Sequence, residues 1–82
     1  MTAVERVTRA LARLREVEND AHPLNAFLDD GADASVRAAR TADAAYGNSS
    51  LHGVPIAIKD NICTLEHTTT CGSRILAQYR SP

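Results

Sequence analysis

Lysine occurs once in this chain, at Lys59, against eight arginines. Where only positive charge is needed the sequence takes Arg, so the position that keeps Lys asks for something Arg lacks. That property is a proton that can be given up, which a guanidinium does not do in proteins. Lys59 follows the apolar, β-branched run Leu51-His52-Gly53-Val54-Pro55-Ile56-Ala57-Ile58. An amine at the end of a buried strand is partly withdrawn from water, and withdrawal favours the neutral form that acts as a general base. The competing reading is a strand-end side chain that reaches solvent or pairs with Asp60. Asp60 and Asn61 fit two roles equally, orienting Lys59 or a loop, or simply forming a turn.

The other reactive side chains form no such constellation. His22, His52 and His67 lack metal-ligand spacing and suit surface or turn positions. Cys63 and Cys71 are eight residues apart and match neither a disulfide framework nor a zinc knuckle. They read as reduced thiols of a cytoplasmic protein, small and buried. Gly53 and Gly72 do not make a phosphate-binding loop. No metal or cofactor site is expected in the chain itself.

These residues need elements to hold them. Val4, Val7, Leu11 and Leu14 recur at helical spacing, with Ala10 and Val17 widening the stripe, which predicts an amphipathic helix over Thr2–Glu18. Thr2 with Glu5 three residues on forms a capping-box signature. Asn19-Asp20 and His22-Pro23 end the helix. A short apolar patch, Leu24–Leu28, is broken by Asp29-Asp30-Gly31. A second helix is expected from about Asp33 to Tyr46, with Ala34, Ala38, Ala42 and Ala45 as a small-residue packing face and Arg37, Arg40 and Asp43 outward. Gly47–Ser50 reads as a stop and turn.

From Leu51 the character changes. Leu51–Ile58 reads as a buried strand, with Pro55 near its start or on an edge. Thr64–Thr70 suits a loop or short strand. Cys71-Gly72-Ser73 is a turn, with Ser73 capping a short helix Arg74–Tyr79. The expected class is α/β, in a single incomplete domain over 1–82. Its helical region is about 1–47, and 51–82 begins a sheet-containing core.

Composition sets the outer limits. The 82 residues are 44% hydrophobic and 23% charged, ordinary for a folded domain rather than a disordered one. Three aromatics and no Trp leave a thin core. A net charge of −1 excludes a global field for nucleic acid or anionic lipid. No apolar run approaches the roughly 20 residues of a membrane span, and the start shows no secretory pattern.

The stretch Leu51-His52-Gly53-Val54-Pro55-Ile56-Ala57-Ile58-Lys59-Asp60-Asn61 resembles the L-x-G-x-P-x-x-x-K-D segment of the amidase signature family. Thr69-Thr70-Cys71-Gly72-Ser73 resembles the T-T-x-G-S segment that follows it. With Ile62-Cys63-Thr64 and Arg74-Ile75-Leu76, the wording is most similar to the family's tRNA-dependent amidotransferase branch, the A subunits of enzymes that work on glutamyl-tRNA(Gln) or aspartyl-tRNA(Asn). Leu24–Leu28 and the alanine-rich helix resemble that branch more loosely.

The resemblance implies a Ser–cis-Ser–Lys triad in which Lys59 is the lysine. It would deprotonate a bridging serine, which activates a nucleophilic serine. The family's two serines belong to a Gly/Ser-rich segment that has no counterpart here, and neither Ser73 nor Ser81 sits in such a context. The resemblance therefore implies the N-terminal piece of an amidase, inactive alone. It implies a mixed sheet covered by helices, glutamine as amide donor, and B and C subunits with mischarged tRNA as partners. ATP with Mg is implied for the complex and not for this chain. Two alternatives stand beside this: a piece of a stand-alone amidase acting on small amides, and a non-catalytic helical interaction module in which the first helix binds a partner groove.

Overall fold

The computed structural model describes residues 1–45, 47 and 50–82. The chain forms α1 (Ala3–Glu18) and α2 (Ala32–Ala44), followed by a long non-helical segment. Helix α1 begins as its sequence predicts. Thr2 Oγ1 accepts from the Glu5 N–H at 3.1 Å, and Glu5 Oε2 accepts from the Thr2 N–H at 2.9 Å. Two of the four N–H groups orphaned at a helix start are also held by Asp43 at the far end of α2. Its carboxylate accepts from the Ala3 and Val4 N–H groups at 2.7 and 3.1 Å. These two bonds, the Ala3 one foremost, hold the Asp43 carboxyl below its ordinary range.

The core lies where the helices meet. Ala3, Val7 and Leu11 from α1 are buried against Ala39 of α2, with Val4, Ala32, Val36 and Ala42 packed around them. Burying a Val or Leu side chain contributes about 1.5–3 kcal/mol, so this cluster is a small anchor. The expected packing face of α2 is corrected in part. Ala42 packs against the cluster as expected, but Ala34, Ala38 and Ala45 do not, and Ala32, Val36 and Ala39 take their place. Both sets have helical spacing. The set containing the branched Val36 removes more apolar area from water, and it turns inward. Asp43 is exposed, as expected, and its carboxylate reaches across to cap α1. Tyr46, the expected last residue of the helix, and Asn48 and Ser49 of the expected turn lie outside the described residues.

No strand forms among the described residues, so the expected buried strand Leu51–Ile58 is also corrected. The backbone from Val54 to Lys59 is non-helical and exposed, with Ile56 76% accessible. Ladder bonds need a neighbouring strand, and none of the described segments forms a ladder with this one. Thr64–Thr70 is likewise loop rather than strand. The short helix expected over Arg74–Tyr79 is replaced by turns. Leu76, Ala77 and Tyr79 donate to the carbonyls three residues back, at 3.2, 3.4 and 2.9 Å. Six residues are too few to repay helix nucleation. Ser73 Oγ still caps the start, accepting from the Ile75 N–H at 3.2 Å.

The radius of gyration is 14.1 Å. A compact domain of this length would have one of about 12 Å. The molecule is flat, 40 × 38 × 19 Å, because its second half is laid beside the helices rather than wrapped into a core. One junction between the halves is close. Gly53, at φ +74°, sits where a Cβ would come within 2.8 Å of Ala3 Cβ, so only glycine fits there.

Candidate functional site

Lys59 ends the extended stretch, and its carbonyl accepts from the Ile62 N–H at 3.0 Å, closing a turn over 59–62. The side chain is exposed, not withdrawn from water as the strand reading expected. Burial of this amine needs a covering layer that the described residues do not form. Among the described residues its ammonium makes no ion pair or hydrogen bond, so the expected alternative of pairing with Asp60 is not realised.

Asp60 is engaged elsewhere. Oδ1 accepts from the Thr70 N–H at 2.9 Å, and Oδ2 accepts from the Thr70 hydroxyl and, at 3.4 Å, from the Gly72 N–H. The Asp60 carbonyl accepts from the Cys71 N–H at 2.9 Å. The Thr70 hydroxyl and then the Thr70 amide lower the Asp60 carboxyl below its ordinary value, with Gly72 adding to them. Of the two roles open to Asp60 in the sequence, the structure favours tying a loop.

The result joins the two motif-bearing stretches, Lys59-Asp60-Asn61 and Thr69–Ser73. Thr69, the first residue of the second stretch, is buried. Its N–H donates to the Tyr79 carbonyl at 3.0 Å and its hydroxyl to the Ile62 carbonyl at 3.4 Å. Beside the joined stretches is an open depression of about 1100 Å³, bordered by Phe27, Ser35, Lys59, Asn61 and Cys71. Chemically it presents one exposed amine. No described hydroxyl or thiol is hydrogen-bonded to that amine, so a base is present without a nucleophile in contact.

The remaining candidates separate from this site or take plain roles. Cys63 and Cys71 are free thiols and both are exposed, correcting the expectation that they are buried. Both belong to the half of the chain that lies outside the helical core. His52 Nε2 is 2.8 Å from the Ala42 carbonyl, tying the second half to α2, and His22 is exposed. No group of three or more metal-ligating side chains occurs among the described residues. No described helix is long and apolar enough to cross a membrane. The feature missed by sequence reasoning is the Asp60–Thr70 tether. Its only trace in the sequence is an acceptor set ten residues before a threonine in a Gly-containing turn.

Comparison with known proteins adds to this geometry. The profile of the Amidase family matches residues 5–82. The glutamyl-tRNA(Gln) amidotransferase A chain of Chloroflexus aurantiacus is 48% identical over 86 residues, covering 100% of this chain and 17% of the relative. The protein of the same name from Symbiobacterium thermophilum is 44% identical over 87 residues, covering 100% and 17%. That of Corynebacterium jeikeium is 42% identical over 84 residues, covering 95% and 16%. The chain thus spans about a sixth of the length of the curated relatives it matches. No solved structure matches it.

Proposed function

The chain belongs to the amidase family, and from that premise we propose that Lys59 is the general base of an amide-cleaving site whose serines these 82 residues do not supply. The observation that carries the reading is the junction itself. The two stretches with the family's wording are hydrogen-bonded together through Asp60, and the only lysine stands exposed beside the depression they border. In the proposed reaction the neutral Lys59 amine takes a proton from a bridging serine. That serine takes one from the nucleophilic serine, whose oxygen attacks the amide carbon. The proton returns through Lys59 to the departing nitrogen, which leaves as ammonia.

The names of the relatives favour the tRNA-dependent branch for the whole protein. Glutamine is then the amide donor, and the ammonia amidates an activated glutamyl (or aspartyl) group on mischarged tRNA in the cytoplasm. ATP with Mg supplies the activation on the B component of the complex, and the C component helps assembly. The near-neutral charge of this segment, −1, fits a division in which tRNA is held elsewhere. The 82 residues by themselves are proposed to hydrolyse no amide, since a base without its nucleophile and oxyanion donors has nothing to activate.

The test is a chimera in which residues 1–82 replace the matching stretch of the Chloroflexus aurantiacus relative, assembled with that relative's own partners. Ammonia release from glutamine is expected. Lys59→Ala should lower kcat by about 10²–10⁴-fold, the range for loss of a general base. Lys59→Arg should be as inactive, because it keeps the charge and loses the exchangeable proton. Activity of Lys59→Ala within tenfold of the unmodified chimera would overturn the reading and restore the interaction-module alternative. Turnover of simple amides without glutamine preference would move the assignment to the stand-alone branch.

A further inference from the structure

We propose that Asp60 is the positioning residue that fixes where Lys59 stands, by clamping the turn after it to Thr70–Gly72; this rests on the reading of Lys59 as the base. One residue makes four hydrogen bonds to three consecutive residues that lie ten to twelve positions further on. Both carboxylate oxygens are used, and so is the main-chain carbonyl. The carboxylate that stands next to Lys59 in sequence is therefore a structural acceptor and not its counter-ion.

The partner turn is held in a conformation that needs such a tie. Cys71 has φ +52° and Gly72 φ +71°, two consecutive left-handed residues, of which only the second is a glycine. A non-glycine residue stays in that region when its surroundings over-determine it. The Asp60 bonds flank it on both sides, from Thr70, Cys71 and Gly72.

The link to Lys59 is covalent and short. Lys59 and Asp60 share one peptide, so anchoring the Asp60 carboxylate and carbonyl fixes the backbone from which the Lys59 side chain departs. The Ile62 N–H to Lys59 carbonyl bond holds the same peptide from within the turn. A long, flexible amine with no partner at its tip among the described residues gains its aim from this anchored backbone. A displacement of about 1 Å in such a group costs on the order of 100-fold in rate.

The experiment uses the chimera described above. Asp60→Ala should lower kcat for glutamine about 10- to 100-fold with KM changed less than about threefold, since the clamp aims the base and does not touch substrate. Asp60→Asn keeps an acceptor for the Thr70 N–H and should recover about tenfold of that loss. Thr70→Ala should lower kcat by less, and the double variant should match Asp60→Ala alone, as members of one network do. A merely structural Asp60 would reduce the yield of folded enzyme while leaving kcat per active site unchanged, and that result overturns the proposal. A rise in KM with kcat retained overturns it as well. Should Asp60→Ala fail to fold, Asp60→Asn and Thr70→Ala decide, and unchanged kcat in both is a refutation. An active Lys59→Ala sinks the underlying reading whatever Asp60 does, whereas an inactive Lys59→Ala beside a fully active Asp60→Ala sinks only the clamp.

Discussion

The two halves of this chain meet the same demand in opposite ways. The two helices, Ala3–Glu18 and Ala32–Ala44, close their backbone bonds within themselves, helped at the start of α1 by a capping box and by the Asp43 carboxylate across the gap. Residues 54–59 carry an apolar, β-branched sequence that helices do not favour, and their N–H groups find few partners among the described residues. A helix closes its hydrogen bonds locally, and a strand closes them only with a neighbour. The chain, which spans about a sixth of the length of its curated relatives, therefore keeps its helical part recognisable and leaves its strand-like part open. The order present in the second half comes from local backbone turns and from side chains, chiefly Asp60 and Thr69, that tie those turns together.

Native-state hydrogen exchange tests that contrast most severely. Mid-helix amides of α1 around Val7–Leu11 are expected to exchange at least about 100-fold more slowly than those of Ile56–Ile58, because only the former open against buried packing. Equal rates would erase the distinction between the halves. Truncation comes next in size. Leu11→Ala should cost about 2–3 kcal/mol in chemical denaturation, at the low end for core leucines because the cluster is small. Ile56→Ala should stay within about 0.5 kcal/mol, as exposed sites do. A large effect at Ile56 would mean that the second half is packed in solution.

Two smaller effects sharpen the comparison. Thr2→Ala should cost about 1 kcal/mol, read as loss of helical circular dichroism on mild heating. The clamp should respond to acid. The Asp60 carboxyl titrates below its ordinary 3.8, so its contribution is present above that value and lost as pH falls through the lower folded value. The Thr70 and Gly72 amide resonances should therefore shift together from about pH 4 downward while α1 core resonances stay in place. Independent titration of the two amides would deny a shared acceptor.

Legibility followed the range of the interactions. The start of α1 was readable because Thr2 and Glu5 satisfy each other three residues apart, and its stop because Asn19-Asp20, followed by His22-Pro23, break the helical pattern directly after Glu18. The inward face of α2 was ambiguous, since two stripes of small residues share the helical period and only the presence of α1 selects the one with Val36. Leu51–Ile58 has the composition of a buried strand, but pairing is a property of the neighbour and not of the segment. Lys59 stood out as the sole lysine among arginines, and that remains the clearest chemical signal in the chain. The Asp60 tether was hidden because a bond across ten residues of irregular loop follows no period.

The Asp43 cap has a consequence for synthesis. It joins residues 40 positions apart, and a ribosome adds about 5–20 residues per second. The first turn of α1 therefore waits about 2–8 s for its second cap to be made. During that interval the capping box alone guards the helix start, and α1 is longer-lived only after α2 has emerged. The nascent chain thus acquires its anchor in one late step, before the Lys59 segment has left the exit tunnel.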